Sequence, residues 1–124
     1  MLLHSLLFPD QNVLGISEST IRRFTTIANR TQSSRALGWD TNDYVMNTYR
    51  GCGNFSRFTF THTGYTGTQL CADPEYGLMT ILLTNRVYPR ADSKSLEKIH
   101  HARQLFNNAV LKIYTGEQMI EDIE

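Results

Sequence analysis

Apolar and polar residues follow patterns that divide the chain into a helical start, a strand-rich middle and a helical end. Residues 1–8 are mostly apolar and predict a short helix, which Pro9 ends because the residue before proline disfavours the α conformation. Ser17 is suited to cap a second helix, in which Ile21 and further apolar residues follow at helical spacing. We predict that this second helix ends near Asn29.

The next part of the chain has weaker patterns. Residues 36–39 predict a short strand. Residues 40–57 are rich in Asp, Asn, Gly and Ser, and they predict a long loop. Such loops are uncommon in small domains and are usually functional or part of something larger.

From Phe58 the strand pattern is clear, because large and threonine side chains alternate as far as Thr63. Residues 68–73 predict a second strand, and the Asp-Pro-Glu-Tyr-Gly sequence at 73–77 is a strong turn signal. Residues 78–84 predict a third strand, antiparallel to the second. This strand is apolar on both faces apart from two threonines, which predicts a position inside a sheet that is covered on both sides.

The last pattern predicts a helix from Ser93 to about Tyr114, which Gly116 would end. We therefore expect an α+β fold over residues 1–116: an antiparallel sheet of three to four strands, a C-terminal helix packed on one face, and two short N-terminal helices. Residues 117–124 predict a flexible acidic tail. In the C-terminal helix, apolar residues at helical spacing form the stripe that would cover the sheet: Leu96, Ile99, Ala102, Phe106, Ala109 or Val110, and Ile113.

A single long amphipathic helix can cover only one face of a strand that is apolar on both faces. The two N-terminal helices are short and would cover the opposite face only in part. We therefore expect part of the native core to lie outside this chain.

Composition narrows the classes of function. The chain has 124 residues, is 40% hydrophobic, and balances 12 basic against 12 acidic residues. Disorder is not expected at this apolar content, and zero net charge predicts no general attraction to nucleic acid. No apolar run approaches the ~18–20 residues of a membrane span.

Cysteine and histidine positions predict neither a redox motif nor a metal site. Cys52 and Cys71 lack Cys-x-x-Cys spacing, and we expect two free thiols, with a single bridge as the alternative. His100 and His101 are adjacent, so on a helix they point about 100° apart and do not share a metal. His4 is remote from both, and no metal or cofactor is predicted.

Four short motifs follow one another at hairpin spacing: His-Thr-Gly at 62–64, Thr-Gly at 66–67, Asp-Pro at 73–74 and Leu-Thr-Asn-Arg at 83–86. In this order they resemble the C-terminal part of the serine β-lactamase and penicillin-binding-protein superfamily, on its class C and esterase side. The resemblance implies a partial β-lactamase/transpeptidase-like fold. It also implies a small-molecule acyl substrate, an ester, amide or lactam.

The same resemblance implies roles for four consecutive residues. In this family a serine forms an acyl-enzyme, and two backbone N–H groups bind the oxyanion. One of those donors would be the backbone N–H of Tyr65. His62 would be catalytic, assisting proton transfer or orienting the serine, while Thr63 and Gly64 would bind substrate. Purely structural roles in a sheet remain the alternative for all four.

The family's nucleophile has no counterpart where it is expected. It lies in a Ser-x-x-Lys motif N-terminal to the His-Thr-Gly strand, and no such motif precedes His62. Ser95 and Lys98 match the letters in the wrong order, and we interpret that match as coincidence. The sequence thus predicts the C-terminal fragment of a β-lactamase-related serine hydrolase, inactive alone. The alternative is a non-catalytic binding or interaction module, or one half of a split hydrolase that an N-terminal half completes in trans.

Overall fold

The computed structural model describes residues 1–45 and 50–117. Residues 46–49 of the predicted long loop and 118–124 of the predicted tail lie outside the described residues. The α+β prediction is confirmed, because four strands form one antiparallel sheet in the order β1-β2-β3-β4. The elements in chain order are α1 (Leu2–Leu7), a 3-10 turn (Pro9–Gln11), α2 (Glu18–Thr25), β1 (Asp40–Thr41), β2 (Phe60–Thr63), β3 (Gln69–Asp73), β4 (Leu78–Leu82) and α3 (Ser93–Thr115).

Local signals set most helix ends. Ser17 caps α2 as predicted, its side chain accepting the Thr20 N–H at 3.2 Å. Helix α2 nevertheless ends at Thr25, earlier than predicted, because Thr26 takes an extended conformation. Its threonines are β-branched and favour helix weakly. At the other end of the chain Gly116 ends α3 in the left-handed conformation, as predicted.

The prediction of a strand at 36–39 is wrong. Gly38 has φ +82°, and the Ala36 N–H donates to the Trp39 carbonyl at 3.0 Å, so the segment is a tight turn. The first strand follows that turn and is only two residues long. It pairs Asp40 with Thr61 on β2.

The sheet face that carries Phe60, here called the α1 face, is covered only at one end. Leu3 and Leu7 of α1 pack there against Phe60 and Ala72. Helix α1 has six residues and is about 9 Å long, so it leaves Ile81 on β4 56% exposed. The prediction of a third strand inside the sheet is therefore wrong. Within the described residues β4 is an edge strand whose only neighbour is β3.

Helix α3 covers the opposite face, here called the α3 face, as predicted, but with different side chains. Its buried residues are Ile99, Arg103, Asn107 and Leu111, about one per turn. The predicted apolar stripe is wrong at most positions: Ile99 is its only buried member, while Leu96 is 42% and Ile113 76% exposed. The buried stripe includes two polar residues because their hydrogen bonds are satisfied within the sheet and its turn.

Cys52 and Cys71 form a disulfide, so the expectation of two free thiols is wrong. Strand β3 places Cys71 on the α3 face, and the loop before β2 brings Cys52 beside it. Both sulfurs are fully buried under Leu111 and Phe55. The pairing depends on how the loop folds over the sheet, and no local sequence signal encodes that.

Within residues 1–45 and 50–117, no group of three or more His, Cys, Asp or Glu side chains is arranged to hold a metal ion. In the same part of the chain, no helix has the length and apolar character needed to cross a membrane.

Candidate functional site

The four predicted site residues lie together at the end of β2 and in the turn that follows it. His62 and Thr63 are the last residues of β2, and Gly64 and Tyr65 begin the turn towards β3. Pairing with β1 stops at Thr61, so beside His62 and Thr63 the outer edge of β2 faces no strand of the described residues.

The His62 ring is exposed and is oriented by two neighbours. Its Nδ1 lies 3.0 Å from the Thr63 carbonyl oxygen, and Trp39 stands edge-on with ring centroids 6.2 Å apart. Because a carbonyl can only accept, Nδ1 carries the hydrogen in this contact. Nε2 of the neutral ring is then the free proton acceptor.

The turn from Gly64 to Thr68 is tight and needs glycine at two positions. The Gly64 N–H donates to the Thr68 carbonyl at 2.8 Å, and the Gly67 N–H donates to the Gly64 carbonyl at 3.0 Å. A Cβ at Gly64 would collide with the Thr68 side chain. Gly67 has φ +98°, and a Cβ there would lie 2.6 Å from a carbon of Ile99.

Arg86 fixes the turn from beyond the end of β4. Its backbone N–H donates to the Thr66 carbonyl at 2.8 Å, and its Nε donates to the Tyr65 carbonyl at 2.9 Å. Its guanidinium also lies 4.9 Å from the centre of the Tyr65 ring, a cation–π contact. The Tyr65 side chain is 71% exposed and is held over Arg86 at the surface.

Arg103 holds the same turn from α3. It is only 4% exposed, and its Nε donates to the Gly67 carbonyl at 3.1 Å. Its Nη2 donates to the carbonyls of Gly64 and Thr68, both at 3.4 Å. The guanidinium fork therefore gives the Gly67 carbonyl its donor and adds a second donor to the Gly64 and Thr68 carbonyls, which N–H groups of the turn already bind.

These contacts determine where the Tyr65 N–H points. The Gly64 carbonyl and the Tyr65 N–H belong to one planar trans peptide, so they point in opposite directions. Because Arg103 and the Gly67 N–H hold the Gly64 carbonyl, the Tyr65 N–H points away from α3. Among the described residues it donates to no acceptor.

The beta-lactamase family model matches residues 3–104, more than four fifths of the chain. The chain belongs to the beta-lactamase family. The matched range includes the whole turn together with Arg86 and Arg103. No curated protein and no solved structure matches the chain significantly.

Positive charge surrounds this part of the beta-lactamase-family fold. Burial, followed by the charges of Arg103 and Arg86, lowers the pKa of His100 below its usual 6.5, so its ring is neutral at pH 7. The carbonyls of the turn thus bind two guanidinium cations, while the Tyr65 N–H stays unengaged among the described residues. This arrangement suits negative charge that develops on an oxygen.

The Ser95 hydroxyl, part of the Ser-x-x-Lys letter match, has a structural role at the start of α3. Its oxygen accepts the Asp92 N–H at 3.2 Å, while the Asp92 side chain accepts the Ser95 N–H at 2.7 Å. Together these bonds form a capping box. No hydrogen bond joins Ser95 to Lys98 among the described residues, which favours the interpretation of the match as coincidence.

Sequence reasoning missed the two arginines that hold the turn. Arg86 had a signal, because it ends the Leu-Thr-Asn-Arg motif at 83–86. Arg103 had none, since it lies 36 residues from the Gly67 carbonyl it binds and in a helix whose pattern predicted an apolar face.

Proposed function

We propose that this chain supplies one wall of the acyl-transfer pocket of a beta-lactamase-related serine hydrolase. The observation that carries the proposal is the free Tyr65 N–H, aimed away from α3 by a peptide whose carbonyl is bound from behind. Membership of the beta-lactamase family makes acyl-enzyme hydrolysis of an ester, amide or lactam the reaction that such a donor serves.

Each residue has a role in this proposal. The Tyr65 N–H binds the developing oxyanion, an interaction typically worth about 10²–10³ in rate. Gly64 has no side chain, so a substrate can approach the backbone closely. His62 accepts or returns a proton through Nε2, and the half-buried Thr63 binds a polar group of the substrate at the free edge of β2.

In the same proposal the attacking serine belongs to a segment outside these 124 residues. The one Ser-x-x-Lys match in the sequence, Ser95 with Lys98, starts α3 instead. The unpaired edge of β4 supports the proposal, since Ile81 and Leu83 expose apolar side chains where a further strand and helix of one domain would pack. The chain is then a C-terminal portion and is inactive alone.

A test begins with the purified chain and two chromogenic substrates, nitrocefin and p-nitrophenyl acetate. We expect no turnover above buffer, from either the parent chain or His62→Ala. Turnover by the chain alone that His62→Ala abolishes would overturn the predicted inactivity. This substitution is informative because the exposed ring leaves the fold intact.

For the second arm, the coding sequence upstream of Met1 is searched for an in-frame segment with Ser-x-x-Lys, and that segment is expressed separately and added. We expect activity on mixing, lost when that serine is replaced by Ala. Tyr65→Pro removes the backbone donor and should lower kcat by about 10² or more. Tyr65→Ala keeps the N–H and is the matched control. Equal activity of the two variants would contradict the oxyanion role.

A non-catalytic interaction module is the second candidate, favoured by the same exposed β4 edge. It predicts that a partner binds this edge and that no added segment restores hydrolysis. Introducing Ile81→Lys should then abolish partner binding, because a charged edge residue blocks strand addition.

A further inference from the structure

A separate cavity lies at the opposite end of β2, between α1, α2 and the residues that lead into the strand. Its volume is about 390 Å³. One water molecule, with its single non-hydrogen atom, occupies roughly 30 Å³ in the liquid. On that scale the cavity holds about ten to thirteen non-hydrogen atoms. Apolar side chains form most of its walls: Leu6, Leu7, Ile27, Phe58, Phe60 and Pro74.

Three arginines border this cavity, and they outnumber the carboxylates that pair with them. Arg30 and Arg57 both donate to the same Oδ2 of Asp43, at 2.7 and 3.2 Å. Arg22 lies 3.7 Å from Glu18 on the exposed surface of α2. Three cations against two anions leave an excess of one positive charge.

Asp43 is fully buried and is ionised at neutral pH. Burial raises the pKa of its carboxyl, but the Val45 N–H and the charges of Arg30 and Arg57 together hold that pKa below its usual 3.8. The carboxylate therefore anchors two guanidinium groups beside the cavity. Arg30 and Arg57 each donate to Asp43 through Nη2. A guanidinium has five N–H donors, so each arginine has further donors besides the one on Asp43. Arg57 also has a buried Nε without a partner among the described residues.

We propose that this cavity binds a small organic carboxylate with an apolar body, such as an aliphatic monocarboxylic acid of eight to ten carbons. The apolar walls match the body of such a ligand. Guanidinium groups bind carboxylates in a two-pronged geometry, and the single excess charge matches one carboxylate.

The proposed ligand site is distinct from the acyl-transfer turn. Trp39 packs edge-on against Phe60, which lines the cavity, and against His62, which does not. The Trp39 ring therefore stands between the two sites on the α1 face. Binding here does not depend on the proposed hydrolysis.

The test is a titration of the chain with octanoate, octan-1-ol and octylammonium, each below its aggregation concentration, followed by calorimetry and amide chemical shifts. We expect octanoate to bind about tenfold more tightly than the alcohol, a difference typical of one charged hydrogen bond. Octylammonium should not bind. Shift changes should centre on Ile27, Arg57 and Phe58.

Two substitutions test which arginines bind the carboxylate of the ligand. Arg22 does not contact Asp43, so Arg22→Gln should leave the fold unchanged. It should weaken octanoate binding severalfold. Arg30→Gln should weaken it about tenfold, with the melting temperature measured to show that the variant is folded. Arg90→Gln is the control, because Arg90 is also an exposed arginine and pairs with Asp92 at 3.6 Å outside the cavity. No octanoate binding at millimolar concentration, equal binding of the alcohol, or equal weakening by Arg90→Gln would each overturn the proposal.

Discussion

The two faces of one small sheet are built in different ways. On the α3 face, a disulfide and buried polar side chains join the helix to the strands, with Asn107 binding both Thr80 at 2.6 Å and Gln69 at 3.0 Å. On the α1 face, the short α1 covers one end with leucines and leaves Ile81 exposed at the other.

The comparison shows what each kind of packing can do. Apolar contact excludes water but sets direction weakly, whereas buried hydrogen bonds fix the orientation of single peptide groups. The turn at 64–68 needs such orientation, and Arg103 supplies it from the α3 face. The part of the α1 face beyond α1 has no such fixed contacts among the described residues, and Ile81 is exposed there.

The largest expected effect comes from Gly67→Ala, which disturbs the contact between the turn and α3. Left-handed backbone costs about 1–2 kcal/mol for alanine, and overpacking against Ile99 adds about 1–3 kcal/mol. We expect the free energy of unfolding in urea to fall by about 2–5 kcal/mol. Gly38→Ala is the control, because its φ is +82° but no atom lies within 4 Å of its Cβ position. Equal losses for both would show that the turn is not packed against α3.

Removing the disulfide should destabilise the α3 face nearly as much. The bridge joins residues 19 apart, and a loop of this size is worth about 3 kcal/mol. The Cys52→Ala, Cys71→Ala double variant should lose that amount in urea unfolding. Reductant should lower the melting temperature of the parent chain and leave the double variant unchanged. Alkylation of two thiols in the unreduced parent chain would contradict the bridge.

Arg103→Leu should cost about 2 kcal/mol, because the buried Gly67 carbonyl loses its donor and the Gly64 and Thr68 carbonyls keep only a backbone N–H. The more specific readout is amide hydrogen exchange, which should accelerate at the bonded N–H groups of Gly64 and Gly67 before the rest of the sheet. Arg103→Lys should restore part of the stability but not the exchange protection, since one ammonium cannot reach all three carbonyls. Uniform acceleration across the chain would indicate a general packing role instead.

The smallest effects compare neighbours on β4 that point to opposite faces. Thr80→Val leaves the Asn107 Oδ1 without its donor and should cost about 1–2 kcal/mol. Ile81→Thr changes an exposed side chain and should stay within about 0.5 kcal/mol. Both variants are β-branched, so strand propensity is matched. A larger loss for Ile81→Thr in urea unfolding would mean that the α1 face is covered after all.

Sequence patterns predicted the parts of this fold that depend on neighbouring residues. Pro9, Ser17 and Gly116 act within one helical turn, and each ends or begins a helix as predicted. The site residues His62 and Tyr65 were found through a motif whose members are adjacent in the chain. The same reasoning misplaced the short strand at 36–39, because Gly38 turns the backbone there.

The amino-acid sequence by itself determined the α+β order of elements, the hairpins and the family, since period, caps and turn residues act over a few positions. Only the tertiary structure decided that Cys52 meets Cys71, that β4 lies at the edge, and that Arg103 binds the turn from 36 residues away. The physical reason is that these outcomes depend on which surfaces meet in space. A buried arginine or thiol is stabilised by partners that its sequence neighbours do not reveal.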